Sequence, residues 1–187
     1  MKPFSHAALF STLRNAWAAA KGVTFKALGL NLFLVQLHCL GDWSRVMEGS
    51  PWLFRGATVV MEEYDDFSNV LTYKLDRILV WARIQGVSEG LMKKRELVKK
   101  VVKKVKDPTT VVVNEGRINA TPYLRARVWL DMNKPLVRVV PIMLKERMAY
   151  LVQYEKLSRF CLYYGCMGHK VIECGDGVCH DLVLTPL

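Results

Sequence analysis

The side chains best suited to chemistry in this sequence gather near its C-terminus. Most of the cysteines follow residue 160, and two histidines lie among them. These residues are Cys161, Cys166, His169, Cys174, Cys179 and His180. Thiolate and imidazole are ligands that zinc prefers, and their clustering favours a metal site in a reducing compartment over a disulfide framework. The segment therefore predicts a zinc site.

The spacing of Cys161, His169 and Cys174 resembles that of a CCHC zinc knuckle, the small nucleic-acid clamp of retroelement proteins. The knuckle spacing C-x2-C-x4-H-x4-C places its second cysteine at position 164, where this chain has Tyr164. The flanking residues that keep the rest of the pattern are Phe160, Gly165 and Gly168. Glycines of this kind allow the positive-φ turns that wrap a backbone around a metal.

Two interpretations of this degenerate knuckle stand side by side. In the first, three ligands hold zinc weakly, and Cys166 is the candidate for the fourth position, with Cys179 and His180 as further candidates. In the second, the knuckle holds no zinc, because so small a module derives its folding energy from a complete ligand set. Changing Tyr164 to Cys is expected to restore four ligands.

Residues 123–132 alternate between apolar and aromatic or basic side chains, which predicts a strand with two different faces. The core face is expected to carry Leu124, Ala126, Val128, Leu130 and Met132, and the other face Tyr123, Arg125, Arg127 and Trp129. Trp81, Arg83 and Gln85 repeat the second pattern. Such faces bind single strands, because bases stack on rings and guanidinium groups hold phosphates. The alternative is a solvated or cross-strand-paired face, in which Trp129 covers another element.

A second basic feature is a lysine-rich amphipathic helix predicted over residues 91–106. Its apolar stripe contains Leu97, Val98, Val101, Val102 and Val105, and its basic face contains Lys99, Lys100, Lys103 and Lys104. The basic face predicts phosphate contacts that depend on salt and not on sequence. A merely solvated face is the first alternative. A membrane-surface helix is the second, and the need for the apolar stripe in the core argues against it.

Composition limits the class of protein. The 187 residues carry a formal net charge of +10, which points to polyanionic partners, nucleic acid before acidic membrane. Apolar residues make up 51% of the chain, enough for a core. Neither a membrane span nor a signal-peptide pattern stands out, so the sequence predicts an intracellular protein of the nucleus or cytoplasm that is not secreted.

The pattern of elements predicts an α+β fold with mostly antiparallel sheets. Predicted helices cover residues 5–21, 42–48 and 91–106, and predicted strands cover 23–27, 30–38, 57–64, 78–85, 110–114, 123–132, 135–143 and 148–155. Residues 1–64 have the order of a ferredoxin-like or RRM-like unit that lacks its first strand. A connector (65–75), a second α+β half (76–156), the degenerate knuckle (157–180) and a tail (181–187) complete the predicted organisation.

From residue 2 to residue 174 the chain resembles the plant domain of unknown function that precedes a CCHC knuckle in LINE-type retroelement proteins. The resemblance rests on Lys2-Pro3-Phe4, Asn15-Ala16-Trp17, Asn31-Leu32-Phe33, Asp42-Trp43-Ser44-Arg45-Val46-Met47, Pro51-Trp52-Leu53-Phe54, Val80-Trp81-Ala82-Arg83-Ile84, Asn133-Lys134-Pro135-Leu136 and Tyr154-Glu155-Lys156-Leu157. It implies a non-catalytic protein that binds single-stranded RNA or DNA. The missing first strand and knuckle cysteine suggest a truncated or decaying copy, or a domesticated host gene.

No catalytic constellation accompanies these features. The histidines have no serine or cysteine nucleophile in a recognisable setting, and the sequence contains no glycine-rich phosphate loop. We therefore expect neither enzymatic activity nor a small-molecule substrate. The alternative to nucleic-acid binding is a protein-interaction or self-assembly domain, in which the sheet edge left by the missing first strand pairs with another chain.

Overall fold

The computed structural model describes residues 4–106, 108–114, 122–143, 146–168 and 172. Its elements are α1 (His6–Trp17), β1 (Val23–Ala27), β2 (Phe33–Leu37), α2 (Leu40–Glu48), β3 (Trp52–Phe54), β4 (Ala57–Val59), β5 (Arg77–Gln85), α3 (Glu89–Met92), α4 (Arg95–Lys103), β6 (Pro108–Asn114), β7 (Tyr123–Asp131), β8 (Val139–Met143) and β9 (Arg147–Tyr154). A short 3₁₀ turn, Val70–Thr72, lies in the predicted connector. Helices are mixed with antiparallel sheets, so the predicted α+β class is confirmed.

The N-terminal unit, residues 4–61, begins with α1. The Ser5 side chain caps this helix by accepting a hydrogen bond from the Ala8 N–H. The helix ends at Trp17, earlier than predicted, because Ala18 adopts the left-handed conformation. The predicted hairpin of β1 and β2 is confirmed. The buried apolar cluster of the unit consists of Leu9, Leu13, Trp17, Val46 and Phe54.

A second hairpin, formed by β3 and β4, closes the N-terminal unit. Arg55 and Gly56 both have positive φ at its turn, as two-residue hairpin turns require. The sequence predicts one strand over residues 57–64, but β4 ends at Val59. The two hairpins form separate two-stranded sheets, so the single sheet expected of an RRM-like half is not confirmed.

The larger part of the chain forms a five-stranded sheet with the order β6-β7-β5-β9-β8. Every pairing in this sheet is antiparallel, and β5 is its central strand. The predicted alternation of β7 is confirmed, because Leu124, Ala126, Val128 and Leu130 are buried. On β5 the buried residues are Ile78, Val80, Ala82 and Ile84.

Two helices cover this buried face of the sheet. The predicted helix over 91–106 is divided into α3 and α4, because Lys94 has extended backbone angles between them. Both helices contribute to the same apolar cluster as the sheet, with Leu91 and Met92 from α3 and Val98, Val101 and Val102 from α4. We call the opposite surface of the sheet the outer face.

The segment after β9 folds back onto the residues that precede β8. The Leu136 N–H donates to the Gly165 carbonyl at 3.0 Å, and Arg138 donates to the Leu162 carbonyl. A Cβ added at Gly165 would lie 3.1 Å from the Leu136 nitrogen, and Gly165 has a φ of +72°. This position therefore requires glycine both for its backbone angle and for the close approach.

Candidate nucleic-acid interface

The outer face carries the aromatic and basic residues that the sequence predicts for nucleic-acid binding. Its members are Trp81, Arg83, Tyr123, Arg125, Arg127 and Trp129. Strand pairing places Trp81 opposite Arg127 and Arg83 opposite Arg125. The register of β5 and β7 thus brings all six predicted side chains onto one continuous surface.

Guanidinium groups lie over the rings of this face. Arg125 lies 3.9 Å from the centroid of the Trp81 ring, and Arg83 lies 5.0 Å from that of Tyr123. Arg77, at the start of β5, lies 4.9 Å from the centroid of Trp129. These distances are those of cation–π contacts, which hold both the ring and the guanidinium in fixed orientations.

Glu155 ties two of the arginines together. Arg125 donates to both carboxylate oxygens, at 2.9 and 2.7 Å, and Arg83 donates to one of them. The Glu155 N–H donates to the Trp81 carbonyl at 2.8 Å, which fixes the carboxylate beside the rings. Burial raises the pKa of Glu155, but hydrogen bonds and charge from Arg125 and Arg83 outweigh it, and the net pKa is lowered.

Arg127 has a different role from the one predicted. Only 8% of this residue is exposed, so it is not an open phosphate contact. Its guanidinium donates to the carbonyls of Met47 (2.9 Å) and Glu48, at the C-terminal end of α2, and to the Ser50 hydroxyl (3.0 Å). Burial lowers the pKa of Arg127, although a guanidinium remains charged in proteins. Arg127 therefore fastens the N-terminal unit to the outer face, where its positive charge meets the negative end of a helix dipole.

This attachment leaves a groove between α2 and the outer face. Its volume is about 620 Å³, and its lining includes Trp43, Met47, Trp81, Arg127 and Trp129. Thr110 of β6 and Met61 also border it. Sequence reasoning missed Trp43 and Met61, because the groove arises from contacts between distant segments and no local pattern marks it.

The lysines of α4 lie on the other side of the sheet. Since α4 packs its valines on the buried face, Lys99, Lys100, Lys103 and Lys104 point away from the outer face and are exposed. Lys99 pairs with Glu96 at 3.1 Å, and Lys104 donates to the Pro141 carbonyl at 2.6 Å. The structure therefore does not bring the two predicted binding features together on one face.

One end of the sheet connects the two basic surfaces. Asp131, the last residue of β7, pairs with Lys134 at 3.2 Å. Its pKa is lowered, chiefly because the Asn133 N–H donates to it, with further contributions from Lys134 and the nearby charge of Lys106. Lys106 follows α4, and Asp131 lies opposite Arg77. Basic groups thus occur along a path from the lysine helix to the outer face.

The described part of the knuckle segment has a tightly bonded backbone. The Cys161 N–H donates to the Cys166 carbonyl at 2.8 Å, and the Gly165 N–H donates to the Cys161 carbonyl at 2.7 Å. Gly165 and Gly168 both have positive φ. Of the predicted zinc ligands, Cys161 and Cys166 lie within the described residues, and the Cys166 thiol lies 3.8 Å from the Tyr164 carbonyl oxygen.

The remaining predicted ligands, His169 and Cys174, lie outside the described residues. Cys161 is fully buried. Within the described ranges no group of three metal-ligating side chains is found. Zinc binding by Cys161, His169 and Cys174, with Cys166 as a fourth ligand, stays a prediction.

Two further findings concern membrane-spanning helices and similarity to known proteins. In the part of the chain that the structure describes, no helix has the length and apolar character needed to cross a membrane. A scan against protein-family models and searches of curated proteins and of solved structures find no match to this chain.

Proposed function

We propose that this protein binds single-stranded RNA or DNA without catalysing a reaction. The observation that carries the proposal is the outer face, where three aromatic side chains alternate with arginines on two neighbouring strands. Rings offer stacking surfaces to any base, and guanidinium groups attract phosphates. The resemblance to retroelement proteins supports the same function and suggests a retroelement origin.

The lysine helix contributes affinity from a separate surface. Lys100 and Lys103 are exposed, and each neutralised phosphate releases condensed counterions. Lys106 and Lys134 lie near Asp131, at the end of β7. A single strand, which bends more easily than a duplex, is suited to follow this path around the sheet.

The test is a titration of the full chain with labelled oligonucleotides at two salt concentrations. We expect single-stranded RNA and DNA to bind more tightly than a duplex of the same length, and affinity to fall as salt rises. Equal affinity for single strands and duplexes would show that stacking of bases on the rings does not contribute to binding. Absence of binding at both salt concentrations would overturn the proposal.

Zinc is the proposed cofactor of the knuckle segment. We expect the purified protein to hold less than one equivalent of zinc, and the Tyr164→Cys variant to hold it much more tightly, because a thiolate completes the ligand set. Elemental analysis of both proteins measures this. Full occupancy in the unaltered chain would instead indicate that Cys166, Cys179 or His180 supplies the fourth ligand.

Self-assembly is a second candidate function, and the edge strand β6 favours it. Val111, Val112 and Val113 are 36–43% exposed on this outermost strand, an apolar run of the kind that pairs with another edge. The opposite edge, β8, contains Pro141, which blocks such pairing. Sedimentation at increasing protein concentration tests this function, and Val112→Lys should abolish any association that β6 mediates.

A further inference from the structure

We infer that the groove between α2 and the outer face is a pocket for one unpaired nucleobase. The inference rests on the proposed function and adds a specific place for a base. A volume of about 620 Å³ lies within the range of about 300–1,000 Å³ that small-ligand pockets occupy. The pocket lies between two separately packed parts of the chain, which is a common position for ligand sites.

The apolar lining of the groove is suited to a flat aromatic ligand. Trp81 and Trp129 form part of its floor, and Trp43 projects from α2 on the opposite side. Within the described ranges no other aromatic ring stacks on any of the three, although Trp17 and Trp52 contact one another in the N-terminal unit. Guanidinium groups already lie over two of these rings, those of Arg125 and Arg127 over Trp81 and that of Arg77 over Trp129. Among the described residues none lies over Trp43, so this half-buried ring is the one best placed to stack on a base.

The polar lining is suited to the edge of a base. Arg127 lines the groove while more than nine-tenths of it is buried, and its Nε–H has no acceptor among the described residues. That nitrogen has almost no solvent-accessible surface, so a ligand in the groove cannot accept a hydrogen bond from it unless Arg127 shifts. The hydroxyls of Ser44 and Thr110 line the groove and can donate to the ring nitrogens and carbonyl oxygens of a base.

The positive charge of the chain favours a nucleotide, which carries a phosphate, over an uncharged aromatic ligand. The chain carries a net charge of +10, and Arg77, which is paired with Glu62, lies over Trp129 beside the groove. A nucleotide therefore brings its phosphate into favourable surroundings when its base enters. A paired base is excluded from the groove because its hydrogen-bonding edge is occupied and both of its faces are stacked in the duplex.

The experiment compares two single-stranded oligonucleotides, one with all its bases and one with abasic sites at every position. Each is titrated against the unaltered full chain, two variants of the groove and two control variants. Two variants change the groove. Trp43→Ala removes a ring from it, and Ser44→Phe fills it with a larger side chain. Leu40→Ala and Leu40→Phe are the matched controls, because Leu40 belongs to the same helix, is 77% exposed and does not line the groove. Affinity is measured at several salt concentrations, and circular dichroism checks each fold.

We expect Trp43→Ala and Ser44→Phe to weaken binding of the normal oligonucleotide about tenfold, the usual effect of one lost stack, with an unchanged salt slope. The controls should bind like the unaltered chain, and the abasic oligonucleotide should not distinguish the variants. If the variants change the affinity for both oligonucleotides equally, or change neither affinity, the pocket is overturned while the proposed function stands. If the unaltered chain binds neither oligonucleotide, the proposed function and the pocket both fail.

Discussion

The two faces of the five-stranded sheet present positive charge in different ways. On the helix-covered side, α4 directs its lysines into solvent, where Lys99 has one carboxylate partner and Lys104 donates to one carbonyl. On the outer face, Arg83 and Arg125 are bound to Glu155 and stacked on rings. Arg127 is buried against the end of α2. The lysines of α4 are therefore more available to a ligand than the arginines of the outer face.

The difference follows from the chemistry of the two side chains. An ammonium group is a strongly hydrated point charge on a flexible stem, so it remains in solvent and contacts phosphates without fixed geometry. A guanidinium group is planar and presents several donors at once, so it binds carboxylates and carbonyls within the protein. We therefore expect the lysine helix to govern affinity and salt dependence, and the outer face to govern how bases are held.

The largest effect is expected for Arg127→Ala. The variant leaves the carbonyls of Met47 and Glu48 without their donor at a buried junction, and it should lower the free energy of unfolding by about 3 kcal/mol. Urea denaturation measures the change. Lys100→Ala, on the exposed side of α4, is the control and should change it by less than about 0.5 kcal/mol. Equal losses in the two variants would contradict the role of Arg127 as a clamp.

The alternation that marks the outer face was predictable, because successive side chains of a strand point to opposite sides whatever the rest of the chain does. The function of Arg127 was not. Its partners Met47 and Glu48 are about eighty residues away in the sequence, and only the packing of the N-terminal unit brings them together. The link between Arg83 and Glu155 spans 72 residues and depends on the pairing of β5 with β9. No local pattern contains either contact.

The same distinction applies to the fold. The stripe of α4 correctly predicted a helix with valines inward and lysines outward, since that pattern is set by residues within a few turns. The break at Lys94 and the separate hairpin of β3 and β4 were missed, because both depend on backbone angles at single residues that composition does not specify.

The second effect tests the lysine side. Replacing Lys99, Lys100, Lys103 and Lys104 together by Gln should weaken binding to every single strand about a hundredfold at low salt. The slope of log affinity against log salt should fall by up to about 0.7 for each lost phosphate contact. Fluorescence anisotropy over a salt series measures both quantities. An unchanged slope would show that nucleic acid does not contact α4 and would assign the affinity to the outer face.

The third effect is expected for Glu155→Gln, which removes the charge that neutralises Arg83 and Arg125. Because two guanidinium groups become available to phosphate, affinity for single strands should rise about tenfold and the salt slope should steepen. Glu96→Gln is the matched control on the lysine side. Its exposed pair with Lys99 contributes little, so affinity should change by less than about threefold. A loss of affinity in Glu155→Gln would mean that the carboxylate is needed to position the arginines.

The smallest effect is the acid dependence of stability that Glu155 contributes. Its pKa is lower in the folded protein than in the unfolded chain, where a glutamate titrates near about 4.3. The folded state therefore binds this proton less readily, and the contribution is complete above the unfolded pKa and is lost as pH falls through the folded pKa. The difference in unfolding free energy between the unaltered chain and Glu155→Gln should be constant above about pH 5.5 and shrink below about pH 4.3.

Other carboxylates also make the stability of the protein depend on acid. Their contributions cancel when the unaltered chain is compared with Glu155→Gln. The pKa of Asp65 is lowered to about 2, chiefly by the hydrogen bond from the Ser68 N–H, and both proteins retain that residue. Its contribution cancels when the two urea denaturation curves are subtracted at each pH. A difference that stays constant down to pH 3 would contradict the charge-paired arrangement, because a glutamate with an ordinary pKa adds no pH dependence. The outer face would then resemble the lysine side, with arginines as available to a ligand as the lysines of α4.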